Sequence, residues 1–125
     1  MDYLLMIYSD EARWPKMSKE EQQQGIAAYT AYTEALKKAS IYKGSNRLAP
    51  TTSATTVQVA NGKPKVLDGP YADSKEQLAG YYMIDVPDLD AALAWAEKCP
   101  TAQWGTIEIR PTAVRFTNGA WVATG

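Results

Sequence analysis

The chain has 125 residues, of which 46% are hydrophobic and 22% charged, a composition that predicts a single folded domain over residues 1–125. Its formal net charge of -1 provides no basic field for phosphates, which argues against direct nucleic-acid binding. The sequence contains no histidine and one cysteine, Cys99. Histidine-dependent catalytic triads, histidine-ligated metals and disulfides within one chain are therefore excluded, and we expect neither a metal site nor a cofactor.

The chain shows no sign of targeting or of membrane insertion. No basic leader precedes the apolar residues 4–7, and acidic residues follow at Asp10 and Glu11. No stretch approaches the roughly 18 apolar residues that a membrane helix needs. We therefore expect a cytoplasmic protein that does not contact membranes.

The first third of the chain is predicted to form a strand, a long helix and a second strand. Side chains alternate between the two faces of a strand, and residues 3–8 would place apolar side chains on both faces. This pattern is typical of a strand covered on both faces. Ser18 and Glu21 have capping-box spacing and predict a helix over about 18–39. The polar residues 41–48 are predicted to be extended. The apolar stripe of the helix recurs every three or four residues and comprises Ile26, Tyr29, Tyr32, Thr33 and Leu36.

A β-hairpin is predicted in the middle of the chain. Two strand-like segments, residues 55–59 and 64–67, flank Asn61 and Gly62. This pair accepts positive φ angles and favours a tight hairpin turn.

A short helical turn and a further strand are predicted after the hairpin. Asp73 and Glu76 again have capping-type spacing and predict a helical turn that ends before Gly80. The apolar segment 81–86 then predicts a strand.

The last third is predicted to contain a second helix and one more principal strand. Asp88 is a plausible N-cap, and Pro100 should end the helix. Residues 104–110 alternate in polarity, as a half-buried strand does. The tail after Pro111 has no assigned structure, although Asn118 and Gly119 favour a turn there. The expected buried face of the helix comprises Leu89, Ala92, Leu93 and Ala96.

This order of elements predicts an α+β ferredoxin-like sandwich with an inserted β-hairpin, in which both helices cover one face of the sheet. Successive side chains of a strand point to opposite faces of the sheet. Ile107 and Ile109 should therefore face the helices, and Glu108 and Arg110 should lie on the opposite face. By the same alternation, the preceding strand should turn Tyr82, Ile84 and Val86 toward the helices and Tyr81, Met83 and Asp85 away from them.

The open face of this sheet is expected to be covered. The first strand is apolar on both faces, so a solvated second face would expose its side chains. The same face of another copy is the simplest cover. The sequence therefore predicts a symmetric homodimer, a dimeric α-β barrel whose two sheets enclose a partly polar cavity.

Residues 68–82, DGPYADSKEQLAGYY, resemble the signature of the DGPF branch of YCII-related proteins, with Tyr71 in place of the usual Phe. The similarity extends over roughly residues 1–111 and leaves the tail 112–125 outside it. The resemblance implies a dimeric α-β barrel with a pocket at each sheet. It also implies a possible sigma-factor link, by family association only, because relatives of this branch are commonly encoded beside extracytoplasmic-function sigma factors.

The resemblance does not carry an enzymatic assignment to this chain. Better-understood relatives have a His-Asp pair proposed for proton transfer, and one branch resembles muconolactone-processing dehalogenases. This sequence has no histidine to place in such a pair.

Three charged residues are candidates for a site. Asp68 could present a carboxylate at a pocket rim, or it could simply stabilise its turn. Glu108 and Arg110 lie two apart on one strand face, where they could bind a polar ligand or pair with each other. Arg110 is the preferred anchor for an anion, since a guanidinium can bind a carboxylate through two hydrogen bonds.

Further residues are expected to line the same space or its entrance. Tyr8, Tyr81 and Asp85 should share the open face, where aromatic packing explains the tyrosines equally well. The polar loop at the end of the first strand contains Arg13 and Trp14, in a position where ligands often approach. Trp14 is either a lid or an anchor for that loop.

Three functions remain open on the sequence. The preferred one is binding of a small polar or anionic molecule in a dimer-enclosed cavity, in the setting of an accessory protein. The second is a histidine-free enzyme of the lyase, isomerase or dehalogenase type, in which Asp68 or Glu108 moves a proton and Arg110 holds an anionic substrate. The third is a protein-interaction module.

Overall fold

The computed structural model describes residues 1–124. Strands and helices alternate broadly in the predicted order, with short 3-10 turns at Thr51–Ser53 and Pro100–Gln103. The elements are β1 (Asp2–Ser9), α1 (Arg13–Lys16), α2 (Lys19–Lys38), β2 (Tyr42–Arg47), β3 (Thr55–Ala60), β4 (Lys63–Asp68), β5 (Gln77–Asp85), α3 (Leu89–Lys98), β6 (Thr106–Pro111), β7 (Val114–Thr117) and β8 (Ala120–Ala123).

Four of the strands form an antiparallel sheet in the order β2-β5-β1-β6. Strand β1 is central, and its Met6 lies opposite Tyr81 of β5 on one side and Glu108 of β6 on the other. Helices α2 and α3 pack on the same face of this sheet. The predicted α+β ferredoxin-like fold is therefore confirmed.

The hydrophobic core lies between the sheet and the two helices. Its fully buried members include Leu5, Leu36, Ile84 and Cys99. The predicted alternation is confirmed on β5, where Tyr82 and Ile84 are buried. Ile107 and Ile109 of β6 pack against the same core.

Helix α2 begins at the predicted capping box but packs less of its length than expected. Ser18 Oγ accepts a hydrogen bond from Glu21 N at 3.1 Å, and Glu21 Oε1 accepts one from Ser18 N at 3.0 Å. The bond from the Ser18 amide lowers the pKa of the Glu21 carboxyl. Of the predicted stripe, Tyr32 and Leu36 are buried, whereas Ile26 is 55% exposed. The middle of α2, which includes Ile26, borders a cavity.

The helical turn predicted between Asp73 and Glu76 is wrong. This segment is non-helical, and β5 begins at Gln77. Ser74 Oγ donates to the Glu76 carbonyl at 2.5 Å, and Gln77 Nε2 donates to the Ser74 carbonyl at 2.6 Å. Such local side-chain bonds compete with helical ones. The pairing of Gln77 with Ser9 then extends β5 beyond the predicted start.

Helix α3 begins as predicted, but only part of its expected face is buried. Asp88 accepts a hydrogen bond from Ala91 N at 2.9 Å as the N-cap. Ala92 and Ala96 are buried. Leu89 and Leu93 are exposed, which corrects the prediction. The small alanines, rather than the leucines, form the contact with the core.

Two hairpins extend from the main sheet. Asn61 and Gly62 adopt positive φ angles of 51° and 75° in the β3–β4 turn, as the sequence predicts. The β7–β8 turn at Asn118 and Gly119 has φ angles of 51° and 79°. Both hairpins are largely exposed. The part of the chain that the structure describes contains no helix of the length and apolarity needed to cross a membrane.

Candidate functional site

A cavity of about 730 Å³ lies on the helix side of the sheet. One wall is the middle of α2, residues 25–34, and the opposite wall comes from the end of β2 and the start of β5. The loop after β1, α1 and the Pro100–Gln103 turn complete the lining. Strands β2 and β5 approach closely at Gly80. A Cβ at this position would lie only 2.6 Å from the Asn46 carbonyl oxygen.

Two arginines of the lining lie over tryptophan rings. The guanidinium carbon of Arg47, at the end of β2, is 4.4 Å from the centre of the Trp14 ring. The same atom of Arg13 is 4.2 Å from the centre of the Trp104 ring. The Trp14 ring in turn contacts α2 at Gly25, where an added Cβ would lie 3.4 Å from Trp14 Cζ3. These contacts connect α1 to three separate segments around the cavity.

The cavity arginines keep their hydrogen-bonding capacity for an anion. Within residues 1–124, no carboxylate lies within 4.0 Å of the side-chain nitrogens of Arg13 or Arg47. A guanidinium stacked on an aromatic ring still has its N–H donors in the plane of the group. The neighbouring carboxylates accept hydrogen bonds from loop residues instead. Asp10 Oδ1 accepts from Ala12 N at 3.0 Å, and the Glu11 carboxylate accepts from the amide and the hydroxyl of Thr51.

Hydroxyl groups contributed by α2 and β5 also line the cavity. Thr33 Oγ1 donates to the Tyr29 carbonyl at 2.8 Å and lies 2.6 Å from the Tyr82 hydroxyl. The Tyr29 and Tyr82 rings stack with their centres 6.4 Å apart. Burial raises the pKa of both phenols, so they are neutral at physiological pH. These side chains provide neutral hydrogen-bonding groups in an aromatic wall.

Cys99 lies next to this wall but is poorly suited to nucleophilic chemistry. Its Sγ is 3.5 Å from the Tyr29 hydroxyl, which also bonds to Thr101 Oγ1. Burial raises the pKa of the Cys99 thiol, which keeps it protonated. No group of three Asp, Glu or Cys side chains within residues 1–124 is placed to hold a metal ion.

Most of the site residues predicted from the sequence lie on the other face of the sheet. The strand register places Tyr8, Tyr81, Glu108 and Arg110 there together. Arg110 Nη2 donates to Glu108 Oε2 at 2.7 Å, so these two side chains pair with each other. The Tyr81 hydroxyl accepts a hydrogen bond from Asn46 Nδ2 at 2.6 Å.

Asp85 and Asp68 lie apart from that pair. Asp85 is exposed at the end of β5 and binds the amino group of Met1 at 2.9 Å, which lowers the pKa of its carboxyl. Asp68 ends β4 in the separate hairpin sheet, opposite Thr55, and is exposed. The structure therefore does not place Asp68 in the sheet that carries Glu108.

Arg13 and Trp14 can be recognised in the sequence as candidate residues, but the cavity that they help to form cannot. A topological signal was present. Strands β1 and β2 are both antiparallel to β5, so their carboxyl ends lie at the same edge of the sheet. Helix α1, which contains Trp14, follows β1, and Arg47 ends β2, so a ferredoxin-like topology brings them together.

Comparisons with known proteins agree with this fold. The family model for the YCII-related domain matches residues 1–115. An uncharacterised protein of Rhizobium meliloti (strain 1021) is 37% identical over 116 residues, which cover 91% of this chain and 94% of the relative. The match extends through β1 to β6 and into β7. The chain therefore belongs to the YCII-related family.

Proposed function

We propose that this protein binds a small anionic molecule with an apolar body in the helix-side cavity. The observation that carries the proposal is the pair of arginines, Arg13 and Arg47, stacked on tryptophans with no carboxylate partner within residues 1–124. A carboxylate group of a ligand would complete their hydrogen bonding.

The remaining lining supports an apolar body for this ligand. Ile7, Ile26 and Leu78 line the cavity, and Ile26 is 55% exposed. A bound molecule would remove such apolar surface from water. The volume of about 730 Å³ lies within the usual range of small-molecule sites, roughly 300–1,000 Å³.

The open face of the sheet supports a homodimer. Leu4 and Met6 of β1 and Met83 of β5 share this face, and each is only half-buried within one chain. Packing against the same face of a second copy would bury these side chains in a self-complementary contact. The Glu108–Arg110 pair would then lie between the two sheets and could form a second polar site.

Proton transfer by Asp68 or Glu108 receives less support from the geometry. Asp68 is exposed on a hairpin, and Glu108 is bound to Arg110. Neither residue lines the helix-side cavity. Binding is therefore the function that we propose for this cavity.

The proposal can be tested by titrating benzoate, phenylacetate and 3-phenylpropanoate into the wild type, R47Q and R110Q while following heat release and thermal unfolding. At least one acid should bind the wild type and raise its Tm. R47Q should weaken that binding about tenfold or more, because it removes a charge-assisted hydrogen bond. K65Q, on the exposed strand β4, is the control for loss of one positive charge.

Two outcomes would contradict the proposal. Loss of binding in R110Q with full binding in R47Q would place the anion on the open face. Absence of binding for every acid in the wild type would remove the support for an anion site in this cavity.

A further inference from the structure

The hydrogen bonds around Tyr82 determine which polar group it can offer to a ligand. Thr33 Oγ1 donates its single proton to the Tyr29 carbonyl, since a carbonyl oxygen can only accept. Thr33 Oγ1 must then accept the proton of the Tyr82 hydroxyl, 2.6 Å away. The only proton of the Tyr82 hydroxyl is thereby committed inside the protein.

The Tyr82 oxygen retains the capacity to accept a hydrogen bond. No residue within 1–124 other than Thr33 shares a hydrogen bond with this hydroxyl. Tyr82 lines the cavity although only 6% of its surface is exposed. Because burial raises the pKa of Tyr82, the group stays a neutral phenol, and its proton points to Thr33 Oγ1. Tyr82 and its partner Thr33 both line the cavity, so this acceptor of fixed orientation belongs to the cavity wall.

The charges of the lining are also compatible with a donor group on the ligand. Besides the two arginines, the lining includes Glu34, together with Asp10 and Glu11, whose carboxylates already accept hydrogen bonds from Ala12 and Thr51. A ligand that combined an anionic group with a donor such as a hydroxyl or an amine could interact with both the positively and the negatively charged side chains of the lining. A purely anionic ligand would interact only with the positively charged ones.

We infer that the cavity selects anionic molecules that also carry a hydrogen-bond donor, a hydroxyl or an amino group, which binds the phenol oxygen of Tyr82. The inference rests on the proposed anion binding and adds the second polar contact. Arg13 and Arg47 hold the anionic group, and Tyr82, oriented by Thr33, rejects ligands that offer only an acceptor at this position.

The test compares matched ligands by calorimetry. The probes are 3-phenylpropanoate, its ortho-, meta- and para-hydroxy derivatives, and the corresponding methoxy ethers, whose oxygen accepts but cannot donate. In the wild type, at least one hydroxy acid should bind about three- to tenfold more tightly than its methoxy ether, the range expected for one hydrogen bond.

Two variants make the result specific to the proposed contact. Y82F keeps the aromatic ring but removes the phenol oxygen, and it should reduce the hydroxy preference to less than twofold. T33V removes the acceptor of the Tyr82 proton, so the phenol can donate to a ligand. In T33V the preference should move toward the methoxy ethers.

The outcomes separate this inference from the proposed function. If no acid binds the wild type, the anion site itself is wrong. If the acids bind through Arg47 but the hydroxy and methoxy forms bind equally, only the donor requirement is wrong. A hydroxy preference that survives in both Y82F and T33V would likewise overturn the role of Tyr82.

Discussion

The arginines on the two faces of the sheet have different partners. On the open face, Arg110 pairs with Glu108, its neighbour two positions along the same strand. On the helix side, Arg47 and Arg13 stack on tryptophans brought by distant segments. Charges that alternate along one strand can neutralise each other locally. Cations brought together from separate elements keep donors free for a molecule that is not part of the chain.

The largest expected effect concerns the proposed covering of the open face. M6E would place a carboxylate at the centre of this face, directly opposite Glu108. In the proposed homodimer, this charge would be buried near its symmetry copy, so association should weaken by a hundredfold or more. Sedimentation velocity at several protein concentrations measures the change.

A matched control for M6E is L93E, because Leu93 is an exposed residue on α3. L93E should leave the association unchanged, and both variants should retain the circular dichroism of the wild type. A folded wild-type chain that stays monomeric at high micromolar concentration would contradict the homodimer.

A second comparison concerns two ion pairs of the sheet. Arg115 Nη1 donates at 2.7 Å to the carboxylate of Asp2, whose side chain is 4% exposed. R115M should lower the free energy of unfolding by about 1–3 kcal/mol, because it leaves a buried carboxylate poorly compensated. In the dissociated single chain, R110M removes an exposed pair and should cost at most about 0.5 kcal/mol. Urea denaturation gives both values, and equal losses would contradict this distinction.

The pH dependence should also differ between the two sides. Burial raises the pKa of Tyr29, Tyr32 and Tyr82 on the helix side. Unfolded phenols ionise near pH 10, so the folded state holds more protons above that value and stability should fall as the pH rises further. Asp85 behaves in the opposite way. The Met1 ammonium lowers its pKa, so its small contribution is present above about pH 4 and is lost on acidification.

Urea denaturation between pH 8 and pH 11 tests the alkaline branch. Y82F removes one of the protonated phenols, and its stability should fall less steeply with pH than that of the wild type. Identical pH dependences for Y82F and the wild type would show that Tyr82 does not contribute.

Much of the fold could be predicted because it depends on short-range patterns. The capping box at Ser18, the N-cap at Asp88 and the turn at Asn61 are each encoded within a few residues. The helical turn predicted at Asp73 also rests on a short-range pattern, and that prediction is wrong. Its spacing suits a helix, but the bonds of Ser74 and the strand pairing that begins at Gln77 take precedence.

The site was harder to predict because its groups are distant in the sequence. Glu108 and Arg110 attract attention since their alternation is visible in six residues. Trp14, Arg47 and Tyr82 have no common local pattern, and only the strand order brings them around one cavity. The exposure of Ile26, which lines the cavity, likewise does not follow from the helical period, because that period places Ile26 on the buried stripe.

The β3–β4 hairpin has a consequence for how this protein can evolve. Gly69 N donates to the Ala54 carbonyl at 2.7 Å, so the chain enters and leaves the hairpin at nearly the same point. The strands of the hairpin are almost entirely exposed and belong to a separate sheet. Insertions, deletions and substitutions there need not move β2 or β5. The hairpin can therefore accept sequence changes without moving the strands that line the cavity.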